Sequence, residues 1–180
     1  SMDGDMPDLE RIVNLTKKFQ NVHLILDEAH AVGVIGKRGV GLAQKFQLEK
    51  DIFARVVTFG KAIGTHGAAV LGSADLKEYL INFARSFIYT TALPHHTLNC
   101  ISNAYSVLMH NDNAVIKLRN NISLFNKLVL QKGLRLRFRE SETAIQICTI
   151  PKNEKVKKAA SILQQNGYDV RAILSPTVQQ

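Results

Sequence analysis

Two residues of this chain could do covalent chemistry together. Lys61 lies in the run Val56-Val57-Thr58-Phe59-Gly60-Lys61-Ala62-Ile63-Gly64, and Asp27 ends the apolar run Val22-His23-Leu24-Ile25-Leu26. A lysine amine forms Schiff bases with carbonyl compounds, and a carboxylate paired with a ring N–H keeps that nitrogen protonated. A lysine and an aspartate converging from two strand ends is the arrangement pyridoxal 5'-phosphate requires, the lysine on its aldehyde and the aspartate on its pyridinium nitrogen. Convergence is easiest at the carboxyl ends of neighbouring parallel strands, where open α/β sheets bind ligands. Thr58 can offer a hydroxyl to the cofactor phosphate, and Gly60 and Gly64 allow close backbone approach. His30, three residues beyond the aspartate, could reach the ring's phenolic oxygen. A strand-end aspartate is common in α/β proteins, and a lysine between glycines is usually a solvated loop residue, so the conjunction carries the reading.

These residues need elements to hold them, and periodicity supplies the outline. Residues 8–19 carry Leu9, Ile12, Val13 and Leu15 at helical spacing, and a strand follows into Asp27. Residues 56–59 and 68–71 read as two further short buried strands. Residues 74–87 read as a helix capped by Ser73, and Pro94 opens a long helix to about Met109. From about Asp112 the pattern becomes an amphipathic helix, a basic strand at 132–139, a strand at 144–150, a helix at 153–166 and a strand at 168–174. Alternating helices and strands predict an α/β chain whose pattern changes between residues 1–111 and residues 112–180.

Four segments carry a resemblance. They are Asp27-Glu28-Ala29-His30-Ala31-Val32-Gly33-Val34-Ile35-Gly36 on to Gly41; Thr58 through Gly64; Gly67-Ala68-Ala69-Val70-Leu71-Gly72-Ser73; and Phe87-Ile88-Tyr89-Thr90-Thr91-Ala92-Leu93-Pro94. In that order and spacing, with Ser1-Met2-Asp3-Gly4-Asp5 before them and Ala172-Ile173-Leu174-Ser175-Pro176-Thr177-Val178 after, the chain resembles the α-oxoamine synthase family of fold-type I pyridoxal phosphate enzymes over essentially its whole length. The resemblance implies part of the fold-type I large domain over residues 1–111, a mostly parallel sheet with helices, plus an incomplete small C-terminal α+β domain over residues 112–180. It implies that Lys61 holds the cofactor, that Asp27 takes the ring nitrogen, that His30 and Ser1 reach the phenolic oxygen, and that Thr58 binds the phosphate. It also implies a homodimer in which Thr91, or Thr90, reaches the phosphate of the neighbouring subunit's cofactor.

The expected reaction is the decarboxylative condensation of L-alanine with pimeloyl-coenzyme A, the biotin-pathway chemistry of this family. Relatives with the same motifs take glycine or serine and another acyl-coenzyme A. Gly60 stands where several members have serine, and His95 replaces the second proline that usually follows Leu-Pro. Members are about twice this long. The chain is therefore expected to be a central and C-terminal piece, inactive by itself, without the ring that stacks on the cofactor, the N-terminal phosphate turn and the arginine that binds the amino-acid carboxylate.

Composition narrows the setting. With 180 residues and 46% hydrophobic content the chain can bury a sizeable core. No apolar stretch reaches membrane length and no leader pattern opens the chain, so a cytoplasmic protein without a membrane partner is expected. Cys100 and Cys148 lack metal-ligand spacing and read as buried free thiols, with no metal expected. The net charge of +8 and the cluster Lys132-Gly133-Leu134-Arg135-Leu136-Arg137-Phe138-Arg139 invite a nucleic-acid reading. The alternation of Leu or Phe with Arg instead predicts a half-exposed strand, and nucleic acid is not an expected partner. By the resemblance, positive surface near the site would attract the phosphates of coenzyme A. Asp27-Glu28-Ala29-His30 also spells the DEAH box of RNA helicases, but the chain has no GxxxxGK followed by Ser or Thr. A non-catalytic binding module on the same fold is the third reading.

Overall fold

A computed structural model describes residues 2–178. Helix α1, Leu9–Thr16, starts where the Asp8 carboxylate accepts the Arg11 N–H at 3.0 Å, and it buries Leu9 and Val13 on one face. It ends three residues earlier than periodicity suggested, as the Thr16 hydroxyl donates to the Val13 carbonyl at 2.9 Å. Strands β1 (Ile25–Asp27) and β2 (Ala54–Thr58) pair in parallel, with Asp27 opposite Val56. Between them lies the short helix α2, Leu42–Lys45, and after them β3, Ala68–Gly72, which pairs antiparallel to β2. The sheet of the described residues thus has the order β1-β2-β3, with one parallel and one antiparallel seam.

Ser73 caps the next helix as expected, accepting the Leu76 N–H at 3.1 Å. The single helix predicted over 74–87 is in fact two, α3 (Ala74–Phe83) and α4 (Arg85–Ile88), broken where Ala84 turns extended at φ −78°, ψ 95°. No glycine or proline marks that break in the sequence. Helices α5, His95–His110, and α6, Asn113–Gln131, follow the predicted pattern, as does α7, Asn153–Gln165.

Two apolar clusters fill the interior. Leu9, Val13, Ile35, Leu42, Ala43 and Ile52 form one, on the side of α1 and α2. Val32, Val57, Phe59 and Ile63 form the other, with Ile101, Ala104, Tyr105 and Leu108 of α5 packed against it. Each fully buried side chain of this size contributes about 1.5–3 kcal/mol. Phe59 and Ile63 of the second cluster bracket Lys61 in sequence, so the turn that carries it is anchored in the interior on both sides.

Three sequence expectations fail after α6. Residues 132–139 form no strand: Arg135–Arg137 is a 3-10 turn with Leu136 fully exposed, and only Phe138 bridges to Cys148. Phe138 instead packs edge-on against Phe125 of α6 at 5.4 Å, so the apolar member of the alternation is anchored without a sheet. Residues 144–150 contribute only the other half of that bridge, and residues 168–174 form no ladder, Gln164 donating to the Val170 carbonyl at 2.8 Å instead. Nor are the thiols buried. Cys148 is exposed on that short bridge, and Cys100 is half-exposed on α5, 3.5 Å from His96 Nε2.

Candidate functional site

Asp27 is the last residue of β1, and its Oδ1 accepts the Ala29 N–H at 2.8 Å, which fixes the carboxylate at the mouth of the turn that follows. The Glu28 N–H donates across to the Val56 carbonyl at 2.8 Å, so this turn begins while still tied to β2. On β2 the last residue is Thr58, whose hydroxyl is buried and has no hydrogen-bond partner. Three residues on, Lys61 opens a turn closed by Gly64 N–H to Lys61 O at 3.0 Å, and the Phe59–Gly67 and Thr65–Phe59 backbone bonds pin its base. The two strands are parallel, so Asp27 and Lys61 emerge at the same end of the sheet.

Gly33 explains how the two turns come together. Its φ is +82°, and a Cβ there would lie 2.6 Å from the Ala62 Cβ. Only glycine lets the chain after Asp27 lie against the residue next to Lys61. His30 lies on the first of these turns. Burial pushes its pKa down and the charge of Lys61 pushes it further, while Asp27 pulls the other way, so His30 feels both groups. A histidine below its usual value is a neutral imidazole near neutral pH, able to donate one N–H.

Asp27, His30, Thr58 and Lys61 therefore share one end of the sheet. Thr90 and Thr91 are exposed, beyond the end of α4, and the Thr90 hydroxyl donates to the Ser86 carbonyl. Leu93, two residues beyond Thr91, approaches the loop after Lys61, its Cδ1 standing 3.0 Å from where a Cβ on Gly67 would lie. Ser1 lies outside the described residues.

Sequence reasoning missed Glu28 and Arg55. Glu28 is 1% exposed. Its Oε1 accepts the N–H groups of Leu42 (2.5 Å) and Ala43 (3.0 Å), and its Oε2 takes Arg55 Nε (2.7 Å) and Nη2 (2.5 Å). These partners lie 14 to 27 positions away, so no local pattern announces them. The same bonds bear on the helicase reading, in which Glu28 must face a metal-bound nucleotide. Here its oxygens are committed to the protein's own backbone and to an arginine.

Residues 1–180 match the family model of aminotransferase class I and II. The chain belongs to that family. Among its aminotransferase-family relatives, 8-amino-7-oxononanoate synthase of Emericella nidulans is 40% identical over 190 residues, covering 99% of this chain and 45% of that protein. The chain thus spans about half the length of the curated relatives it matches. The crystal structure of 8-amino-7-oxononanoate synthase from Francisella tularensis superposes with a TM-score of 0.84 at 32% identity, over 97% of this chain and 51% of that one. A structure of SPT with PLP gives 0.79 at 27% identity, over 99% and 44%. This likeness accounts for the mixed α/β architecture, including the three-stranded sheet. No helix of the described residues is long and apolar enough to cross a membrane.

Proposed function

We propose that this chain carries the cofactor lysine of a pyridoxal 5'-phosphate-dependent α-oxoamine synthase that condenses L-alanine with pimeloyl-coenzyme A, releasing CO₂ and coenzyme A and giving 8-amino-7-oxononanoate. The observation that carries the reading is the buried, unpartnered Thr58 hydroxyl at the sheet end shared by Asp27, His30 and Lys61. A buried hydroxyl without a partner costs stability unless a ligand supplies one, and a phosphate oxygen suits it. The names of the relatives support the substrates, and the likeness to SPT with PLP supports the cofactor.

Bound at Lys61, the cofactor supplies an electron-withdrawing ring that stabilises negative charge at the α carbon of the amino acid. Asp27 would accept the ring N–H and hold that nitrogen protonated. The neutral His30 would donate to the phenolic oxygen, and Thr58 would donate to the phosphate. Lys61 Nζ would be the base that takes the Cα proton of the amino acid. Ser1 is a second candidate for the phenolic oxygen, and Thr91 or Thr90 would complete the phosphate site of a neighbouring subunit in a homodimer. Residues 1–111 then form the cofactor-binding domain and residues 112–180 the small domain of a cytoplasmic enzyme. The likeness to SPT favours a second substrate reading, serine or glycine with a different acyl-coenzyme A.

Borohydride reduction of the chain loaded with pyridoxal phosphate, followed by peptide mapping, tests the assignment. A phosphopyridoxyl group on Lys61 that disappears in Lys61→Ala is expected. Its appearance on another lysine, or on none, overturns the reading. The amino acid that alters the visible band at the lowest concentration selects between L-alanine and its two rivals.

A further inference from the structure

We propose that the buried Glu28–Arg55 ion pair is a positioning device for the cofactor site, holding Asp27 and His30 in register with Thr58 and Lys61; this rests on the cofactor reading above. Glu28 is pinned from both backbone and side chain. Its N–H bonds Val56 O at 2.8 Å, and its carbonyl accepts from Ala31 at 2.9 Å and Val32 at 3.1 Å. Its carboxylate takes two backbone N–H groups on one oxygen and two arginine nitrogens on the other. Asp27 immediately precedes this fixed point and His30 follows two residues later, so neither moves without it.

The other partner lies on the opposite strand. Arg55 stands opposite Leu26 in the β1–β2 register and three residues before Thr58. The pair therefore crosses the one seam that joins the strand of Asp27 to the strand leading into Lys61. Two apolar side chains there would hold the strands at least as stably, because desolvating two charges offsets most of their attraction. A fork of two charged hydrogen bonds adds direction, which fixes the approach of the two strand ends. Gly41 shows how closely the device is fitted: a Cβ there would lie 2.7 Å from Glu28 Oε1. One carboxylate thus ties the end of β1 to the start of β2 and the start of α2.

The test measures pyridoxal phosphate affinity, the position of the visible Schiff-base band and the Tm of the unloaded protein. It uses the full chain and Glu28→Gln, Arg55→Met, Arg55→Lys and Val13→Ala. Glu28→Gln and Arg55→Met are expected to weaken cofactor binding about tenfold, the scale on which residues that orient a bound group's ligands act, and to shift the band. Arg55→Lys keeps the charge but not the fork, and should recover part of both. Val13→Ala, in the other apolar cluster, should lower Tm while leaving affinity and band unchanged. If the Glu28 variant does not fold, Arg55→Lys decides. Variants that lose Tm yet keep the parent's affinity and band overturn the positioning role alone. A parent chain that forms no adduct at Lys61 overturns the cofactor reading, and the positioning role with it.

Discussion

Between Leu9 and Ile63 the chain buries two clusters of apolar side chains and a carboxylate, whereas between Arg135 and Leu174 the buried residues are Ser141, Thr143 and Ala160. In the first region most interior contacts come from apolar side chains, while short elements, turns and the Glu28 carboxylate satisfy the backbone. In the second, hydroxyls do the joining. Ser141 Oγ donates to the Gly4 carbonyl at 2.8 Å, Thr143 Oγ1 reaches the same oxygen at 3.2 Å, and Arg139 pairs with Asp3 beside them. The Gly4 carbonyl is thus one anchor of this irregular stretch, and Asn126 of α6, donating to the Ser141 carbonyl at 2.9 Å, is another. The lesson is that the site end rests on packing and the C-terminal stretch on a few directional bonds. Damage should therefore spread cooperatively in the first region and stay local in the second.

The comparison breaks most visibly at Phe59. Its ring meets Tyr105 edge-on at 6.2 Å and is 7% exposed. Phe59→Ala should cost about 3–5 kcal/mol by denaturant melts, and should loosen the turn that presents Lys61. Ser141→Ala removes the donor to Gly4 and an acceptor for the Thr143 N–H. Because Thr143 Oγ1 still reaches that carbonyl, the loss should sit near the low end of about 1–3 kcal/mol. A larger loss at Ser141 than at Phe59 would invert the comparison. Leu136 is fully exposed in the 3-10 turn, so Leu136→Ser should stay within about 0.5 kcal/mol. A value beyond that would mean the 132–139 stretch packs as the strand its alternation imitates.

The same division governs what could be read from the amino acids. Val57, Phe59 and Ile63 are apolar because they are interior, and the apolar run predicted a strand over 56–59 where β2 spans Ala54–Thr58. The cap at Ser73 was legible too, because it acts within three residues; Asp8, read as part of its helix, turns out to cap it over the same distance. The break at Ala84 was not, since nothing local demands it. At 135–139 the alternation was real but its cause was not a sheet: one ring, Phe138, packs on α6, and Arg135 and Arg139 find acids, Glu140 and Asp3. In the site, Asp27, His30, Thr58 and Lys61 could be picked out by residue type and position. Glu28 could not, because its meaning depends on Arg55, 27 residues away, and on the backbone of α2.

The smallest expected effect is the one that tests the electrostatics of the site end directly. Burial first, and then the charge of Lys61, lower the pKa of His30 from the ordinary 6.5. The unfolded chain therefore binds a proton at His30 at a higher pH than the folded chain does. Stability from this group is fully present above the unfolded value and declines as pH falls through the window between the unfolded and folded values. His30 is only half-buried, so the contribution is small and is best read as a difference. Melts of the parent and of His30→Gln between about pH 5 and pH 8 should run nearly parallel at the alkaline end and converge toward the acid end, where the parent alone loses this term. Parallel curves throughout would mean that burial and Lys61 together leave the His30 pKa where the unfolded chain has it, against the lowering expected here.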